Sequence, residues 1–174
     1  CTASPAGDSI PCLMTLNAEI ELASRRGARR LPLNEFLTGP RQTACAPDEL
    51  VTAVYVPSDA EMGVGGFEKL GARRYLVISI AMTAARLSIA DRRIGDAAIS
   101  VGACAPVAVR LTELEAGLRG MAYDMAGDFI RDSRSGIMAA LSPIDDVRGT
   151  AGYRRDAAAE IVARLVERLC GEFG

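Results

Sequence analysis

Two kinds of hydrophobic pattern divide the chain. Over residues 19–23 (Glu19-Ile20-Glu21-Leu22-Ala23) polar and apolar side chains alternate, the period-two signature of a half-buried strand. Residues 29–33 read as a second short strand. Arg25-Arg26-Gly27 lies between them, so 18–33 is predicted to be a β-hairpin. Asn34-Glu35-Phe36-Leu37 fits one helical turn ended by Gly39-Pro40, and 50–56 fits a further strand opened by Pro47-Asp48-Glu49. Beyond Pro57 come a short strand at 66–70 and an interruption at Arg73-Arg74-Tyr75. A long run of small and β-branched residues follows at 77–89. That run is read as a strand, with a helix as the competing reading. Asp91-Arg92-Arg93 makes a turn and 94–103 pairs back, which predicts a three-stranded antiparallel sheet.

The rest of the chain has the helical period. Residues 9–16 form a short helix with Pro11 in its first turn and Asp8 or Ser9 as the cap. Residues 111–119 form a helix stopped by Gly120, and 125–141 a weaker one. Residues 142–146 are a loop, and 151–170 carry the clearest amphipathic pattern. There Ala157, Ala158, Ile161, Val162, Leu165, Val166 and Leu169 share a face, with Glu160 and Arg164 one turn apart on the polar side. The Pro-, Gly- and acid-rich stretch 57–65 marks a boundary between a first unit, 1–58, and a second, 64–174. The fold class is α+β.

Composition removes several chemistries. The chain is 49% hydrophobic and 24% charged with a net charge of −2, so nucleic acid and anionic membrane are poor partners. No apolar run reaches the roughly 18 residues a membrane helix needs. The absence of histidine removes the usual general base, the Ser and Cys triads and most zinc sites. Five cysteines without CxxC spacing suit neither structural zinc nor iron–sulfur clusters and read as thiols in a reducing cytoplasm. Any chemistry here therefore depends on a bound cofactor. Lys69 is the sole lysine; every other basic residue is arginine.

The candidate site is the opening stretch, Cys1-Thr2-Ala3-Ser4-Pro5-Ala6-Gly7-Asp8-Ser9. Small side chains let backbone approach a ligand closely, and N–H groups leading into a helix suit a phosphate. Asp8 is placed to cap the turn or to accept from a sugar hydroxyl. The bland alternatives are an ordinary capped turn here, a solvated surface lysine at Lys69, and charged-loop capping at Asp145-Asp146 linked to Arg148 or Arg154.

Four segments occur in the same order and at similar spacing in one family: Thr2 to Asp8, Pro47-Asp48-Glu49-Leu50, Phe67-Glu68-Lys69-Leu70-Gly71, and Pro143 to Gly149 running on to Tyr153-Arg154-Arg155. On these the chain resembles the FAD-binding medium subunit of molybdenum hydroxylases, the xanthine dehydrogenase and carbon monoxide dehydrogenase group. The resemblance implies the end of a PCMH-type FAD-binding lobe followed by a C-terminal domain of a three-stranded antiparallel sheet packed with helices. It implies an oxidoreductase component whose FAD passes electrons from iron–sulfur clusters to an external acceptor. Molybdopterin would sit on a large subunit and 2Fe–2S clusters on a small one. By position, Thr2, Ser4 and Asp8 match the FAD-contacting loop and Leu50 a position against the flavin. Lys69 falls at or beside another cofactor contact, with Phe67 and Glu68 as neighbouring alternatives. The family's Gly-rich pyrophosphate loop lies in an N-terminal lobe with no counterpart here. The chain therefore reads as the later part of a longer polypeptide whose N-terminal lobe completes the site. The competing reading is a non-catalytic docking fragment that does not bind FAD alone.

Overall fold

A computed structural model describes residues 3–73 and 77–173. The first part holds α1 (Ser9–Thr15), β1 (Glu19–Ser24), β2 (Gly27–Pro32), α2 (Leu33–Phe36), β3 (Leu37–Gly39), β4 (Gln42–Thr43) and β5 (Leu50–Tyr55). A 3₁₀ turn at Ser58–Glu61 leads into β6 (Val64–Gly71), β7 (Ser79–Ala90), β8 (Arg93–Gly102) and β9 (Val109–Arg110). The helices α3 (Thr112–Leu118), α4 (Ala126–Asp132), α5 (Arg134–Ala139) and α6 (Ala151–Gly171) follow.

The expected hairpin forms: β1 pairs antiparallel with β2 on one side and with β5 on the other, giving a small sheet in the order β2-β1-β5. The expected three-stranded sheet gains a fourth member. Its order is β6-β7-β8-β9, all antiparallel, and β9 adds only the pairs Ser100↔Arg110 and Val101↔Val109. A two-residue strand has no period of its own, so nothing in the sequence announced it. Asp91 and Arg92 both take positive φ in the two-residue loop between β7 and β8, the twist that tight hairpins favour.

The strand at 77–89 reads as a continuous apolar run because β7 is covered on both faces. Ala81, Ala85 and Leu87 join the core built by α3 to α6. Met82 and Arg86 face α1: Met82 and Pro11 crowd Gly102 so closely that a Cβ there would sit 2.5 and 2.7 Å from their side chains. On α6, Ala158, Ile161, Val162, Leu165, Val166 and Leu169 are buried as the amphipathic reading expects, while Ala157 at the edge of that face is only half-buried. Two expectations fail locally. The helix expected at 125–141 breaks at Ser133 into α4 and α5, in a stretch where Ser133, Ser135 and Gly136 lower helix propensity. Gly39-Pro40 does not simply end a helical turn but leads into the β3–β4 hairpin.

The far end of α1 is held by arginines of the four-stranded sheet. Its last carbonyls have no partner inside the helix. Arg86 Nε donates to the Thr15 carbonyl at 3.2 Å, and Arg110 Nη1 to the Met14 carbonyl at 2.7 Å. Arg110 is itself fixed by a bidentate pair with Glu115 (2.7 and 2.9 Å), whose Oε1 also accepts the Ile99 amide at 2.7 Å. Glu115 is only 2% exposed. Removing one partner of a buried ion pair strands the other charge, at a cost of about 3–5 kcal/mol. Arg110→Met is therefore expected to lower unfolding stability by about that amount in urea denaturation. A change below about 1 kcal/mol, the range of an exposed pair, would contradict the role given to Arg110.

Candidate functional site

The opening segment folds as its residues dictate. Ser4-Pro5-Ala6-Gly7 is a β-turn closed by the Gly7 amide on the Ser4 carbonyl at 3.1 Å, with Ser first, Pro second and Gly last. The Ser4 hydroxyl oxygen accepts from the Ala6 amide at 3.3 Å and the side chain stays exposed. A Cβ at Gly7 would lie 3.3 Å from both the Ser4 carbonyl oxygen and Ile10, so the glycine permits the tight passage into α1.

Outside contacts then pin the segment. Ala3, buried and at φ 45°, offers its carbonyl to the Arg41 amide at 2.9 Å. Pro5 offers its carbonyl to the Ala103 amide at 2.9 Å, and Ala103 sits at φ 64° just past β8. Three non-glycine residues in the left-handed region meet here, Ala3 in the segment and Arg41 (φ 59°) and Ala103 bonded to it, each strained by about 1–3 kcal/mol. Such strain persists only where the surroundings over-determine it, and it gathers at functional sites.

What determines Ala103 is Arg154. This side chain is 1% exposed and sits on the first turns of α6. Its guanidinium donates to the carbonyls of Ala103, Ile80 (3.1 Å) and Ile144 (2.8 Å), and lies 3.4 Å from Asp146 Oδ2. Ile80 is the extra residue of a β-bulge: Leu70 pairs with Ala81 and Gly71 with Ser79, which leaves Ile80 without a register partner. Asp146 is shared with Arg148 at 2.6 Å, and the Arg148 side chain and backbone amide hold its carboxyl down at about 2. Asp145 caps the Ala151 amide and Thr150 the Tyr153 amide, so the expected loop and capping chemistry of Asp145-Asp146 is what the structure shows.

Of the two roles open to Asp8, the cap does not form. The residue occupies the N-cap position of α1, but its side chain makes no capping bond. The carboxylate turns to the four-stranded sheet instead, where Lys69 Nζ on β6 donates to Oδ2 at 2.7 Å and the Ser79 hydroxyl on β7 donates to Oδ1 at 3.1 Å. An ammonium ion outcompetes a neutral backbone amide for a carboxylate. Strand alternation separates the alternatives around Lys69. Glu68 points to the α6 side and reaches Arg168 at 3.5 Å, whereas Lys69 meets Asp8. Phe67 lines a cleft of about 360 Å³ beside α1 with Cys12, Thr15 and Arg86.

The structure thus brings Asp8 and Lys69 together, with Ser4 in the adjoining turn. Leu50 starts β5 in the other sheet, opposite Ala23 and 73% exposed. Thr2 lies outside the described residues. Sequence reasoning missed Ser79 and saw Arg154 only as a candidate partner of Asp145-Asp146, not as the donor to the Ala103, Ile80 and Ile144 carbonyls. A lone hydroxyl in the apolar run Ile78-Ser79-Ile80 was the available signal for the first. Burial pushes the Cys104 thiol up to about 11, so it stays protonated beside the Ile80 and Arg154 carbonyls. Among the described residues no helix is long and apolar enough to cross a membrane.

Comparison with known proteins places this geometry. Residues 1–59 match the FAD binding domain in molybdopterin dehydrogenase, and residues 67–169 the CO dehydrogenase flavoprotein C-terminal domain. The chain is 32% identical to the nicotine 6-hydroxylase medium subunit of Paenarthrobacter nicotinovorans, over 92% of this chain and 55% of that protein. It is 30% identical to the carbon monoxide dehydrogenase medium chain of Afipia carboxidovorans, over 93% of this chain and 56% of that one. The solved reconstituted CO dehydrogenase from Oligotropha carboxidovorans superposes with a TM-score of 0.86 at 29% identity, covering 98% of this chain and 58% of that one. The chain spans just over half the length of these relatives.

The low-lying Asp146 carboxyl fixes an acid dependence. A free aspartate titrates near about 3.9, and Asp146 in the fold at about 2. Because the folded value is the lower, its stabilising contribution is complete above about pH 4 and is lost as the pH falls through about 2. Asp146→Asn is expected to flatten the fall in thermal stability over that window. Wild-type and variant melting temperatures that fall in parallel over that window would refute it.

Proposed function

The chain belongs to the CO dehydrogenase flavoprotein family, whose members are FAD-binding medium subunits of molybdenum hydroxylases, and from this we propose that it supplies one wall of an FAD site in such an oxidoreductase. The single observation that carries the reading is the Asp8–Lys69 pair. It joins the segment matched as an FAD-binding domain to the segment matched as the flavoprotein C-terminal domain.

The donor set suits a dinucleotide. The Asp8 carboxylate, 51% exposed, keeps lone pairs beyond those used by Lys69 and Ser79 and can accept from a sugar hydroxyl. Lys69 offsets that charge and supplies a cation for a phosphate. The exposed Ser4 hydroxyl adds a donor and acceptor within the turn. Leu50 presents an exposed apolar side chain suited to a ring face. Thr2 belongs to the same set by position.

When bound, FAD would supply the redox chemistry, taking electrons one or two at a time. The residues of this chain bind and orient it. We assign the electron source to a 2Fe–2S small subunit, substrate oxidation to a molybdopterin-binding large subunit, and the pyrophosphate contacts to an N-terminal lobe of the family type. A reducing cytoplasm suits the free thiols of Cys12, Cys45, Cys104 and Cys170.

FAD titration of the purified chain, with and without a separately produced N-terminal lobe, tests the proposal. Flavin fluorescence should be quenched in the mixture. Asp8→Asn and Lys69→Met should each weaken binding at least about tenfold, since a charged hydrogen bond contributes about 1.5–3 kcal/mol. No quenching in either preparation, or quenching indifferent to both substitutions, would overturn it.

A further inference from the structure

We infer that Ser79 is a positioning residue of the FAD site and that it acts through Asp8. It touches no ligand itself. The ligand arm of this inference rests on the FAD reading above; the positional arm rests on the geometry of the chain alone.

Ser79 is fully buried at the first position of β7. A buried hydroxyl requires a partner, and this one donates to Asp8 Oδ1 at 3.1 Å across 71 residues of sequence. Lys69 takes the other oxygen at 2.7 Å. With two donors from adjacent strands on its two oxygens, the carboxylate plane is fixed, whereas Lys69 alone, on a long flexible stem, would leave it free to swivel. The lone pairs that remain then face one way, into solvent, on a side chain that is half exposed. That is preorganisation: an acceptor for a cofactor hydroxyl held in place before the cofactor arrives.

The bulge sets the place of Ser79. In an unbroken ladder Gly71 would pair with Ile80. The extra residue puts Ser79 opposite Gly71 and so brings its hydroxyl level with the Asp8 carboxylate. Gly71 in turn admits Val77, whose Cγ1 would lie 2.4 Å from a Cβ at that position. Arg154 holds the bulged Ile80 carbonyl. Ser79 is thus one point, beside the Pro5–Ala103 bond, at which the deep brace of the C-terminal domain meets the segment matched as FAD-binding.

The test is a double-mutant cycle of Ser79→Ala and Asp8→Ala, with Ser79→Thr as the conservative rescue. In the positional arm, amide exchange of Gly7 and Ile10 in the free chain should quicken about tenfold in Ser79→Ala. Ser79→Thr should restore it. Ser79→Ala should add nothing in the Asp8→Ala background, which has no acceptor left for the hydroxyl. In the ligand arm, FAD affinity should fall about fivefold in Ser79→Ala and stay level between Asp8→Ala and the double variant. Unchanged exchange in Ser79→Ala, or an equal effect with Asp8 already replaced, overturns the inference whatever FAD does. If the wild-type chain and its mixture with the lobe bind no FAD, the functional reading fails while the exchange arm still decides the role of Ser79.

Discussion

One buried guanidinium governs how this chain is put together. Arg154 lies inside the protein with its charge matched by Asp146, and it spends its donors on the carbonyls of Ile80, Ala103 and Ile144. Each of those carbonyls belongs to a piece of chain that departs from regular structure. Ile80 is the bulge of β7, Ala103 a left-handed residue past β8, and Ile144 part of the loop before α6. Unpaired, each would cost about 1–3 kcal/mol. A lysine could not serve three carbonyls in fixed directions; the planar fork of arginine can.

The consequences run outward to the opening segment. Ala103, held by its carbonyl, turns its amide to Pro5, while the bulge at Ile80 sets Ser79 against Asp8. Two further arginines, Arg86 and Arg110, take the carbonyls at the other end of α1. A seven-residue helix and the turn before it have little intrinsic stability. Their shape is imposed by the sheet they lie on, through long-range hydrogen bonds at both ends. A cofactor meeting this segment meets a surface already shaped, which lowers the entropy lost on binding.

The sequence carried what local periodicity can carry. The face of α6, the both-sides-buried run of β7 and the alternation of β1 were legible because side-chain burial repeats at 3.6 or 2 residues. Ser4 and Gly7 were legible as a turn because their types match its positions. Asp8 was legible as the residue before the helix; of the two roles open to it, the cap gives way to an ion pair. Lys69 lies 61 residues away, and no local rule weighs it against a nearby amide. Arg86 and Ser79 escaped for the same reason, and so did the reach of Arg154 beyond Asp146. Each looks like an ordinary residue of its element, and two of the carbonyls that Arg154 serves, Ala103 and Ile80, lie 51 and 74 residues away. Leu50 was marked by resemblance alone, and it stands exposed on a strand of the other sheet.

The central claim is that Arg154 sets the shape of the opening segment from a distance. Arg154→Lys keeps the charge beside Asp146 and removes the fork. Residue-resolved hydrogen exchange on this variant tests the claim most directly. The expected result is exchange at least about tenfold faster at the Ala103 and Gly7 amides, with the α6 amides beyond its first turns still protected. Protection at Ala103 and Gly7 equal to that of the wild-type chain would contradict it.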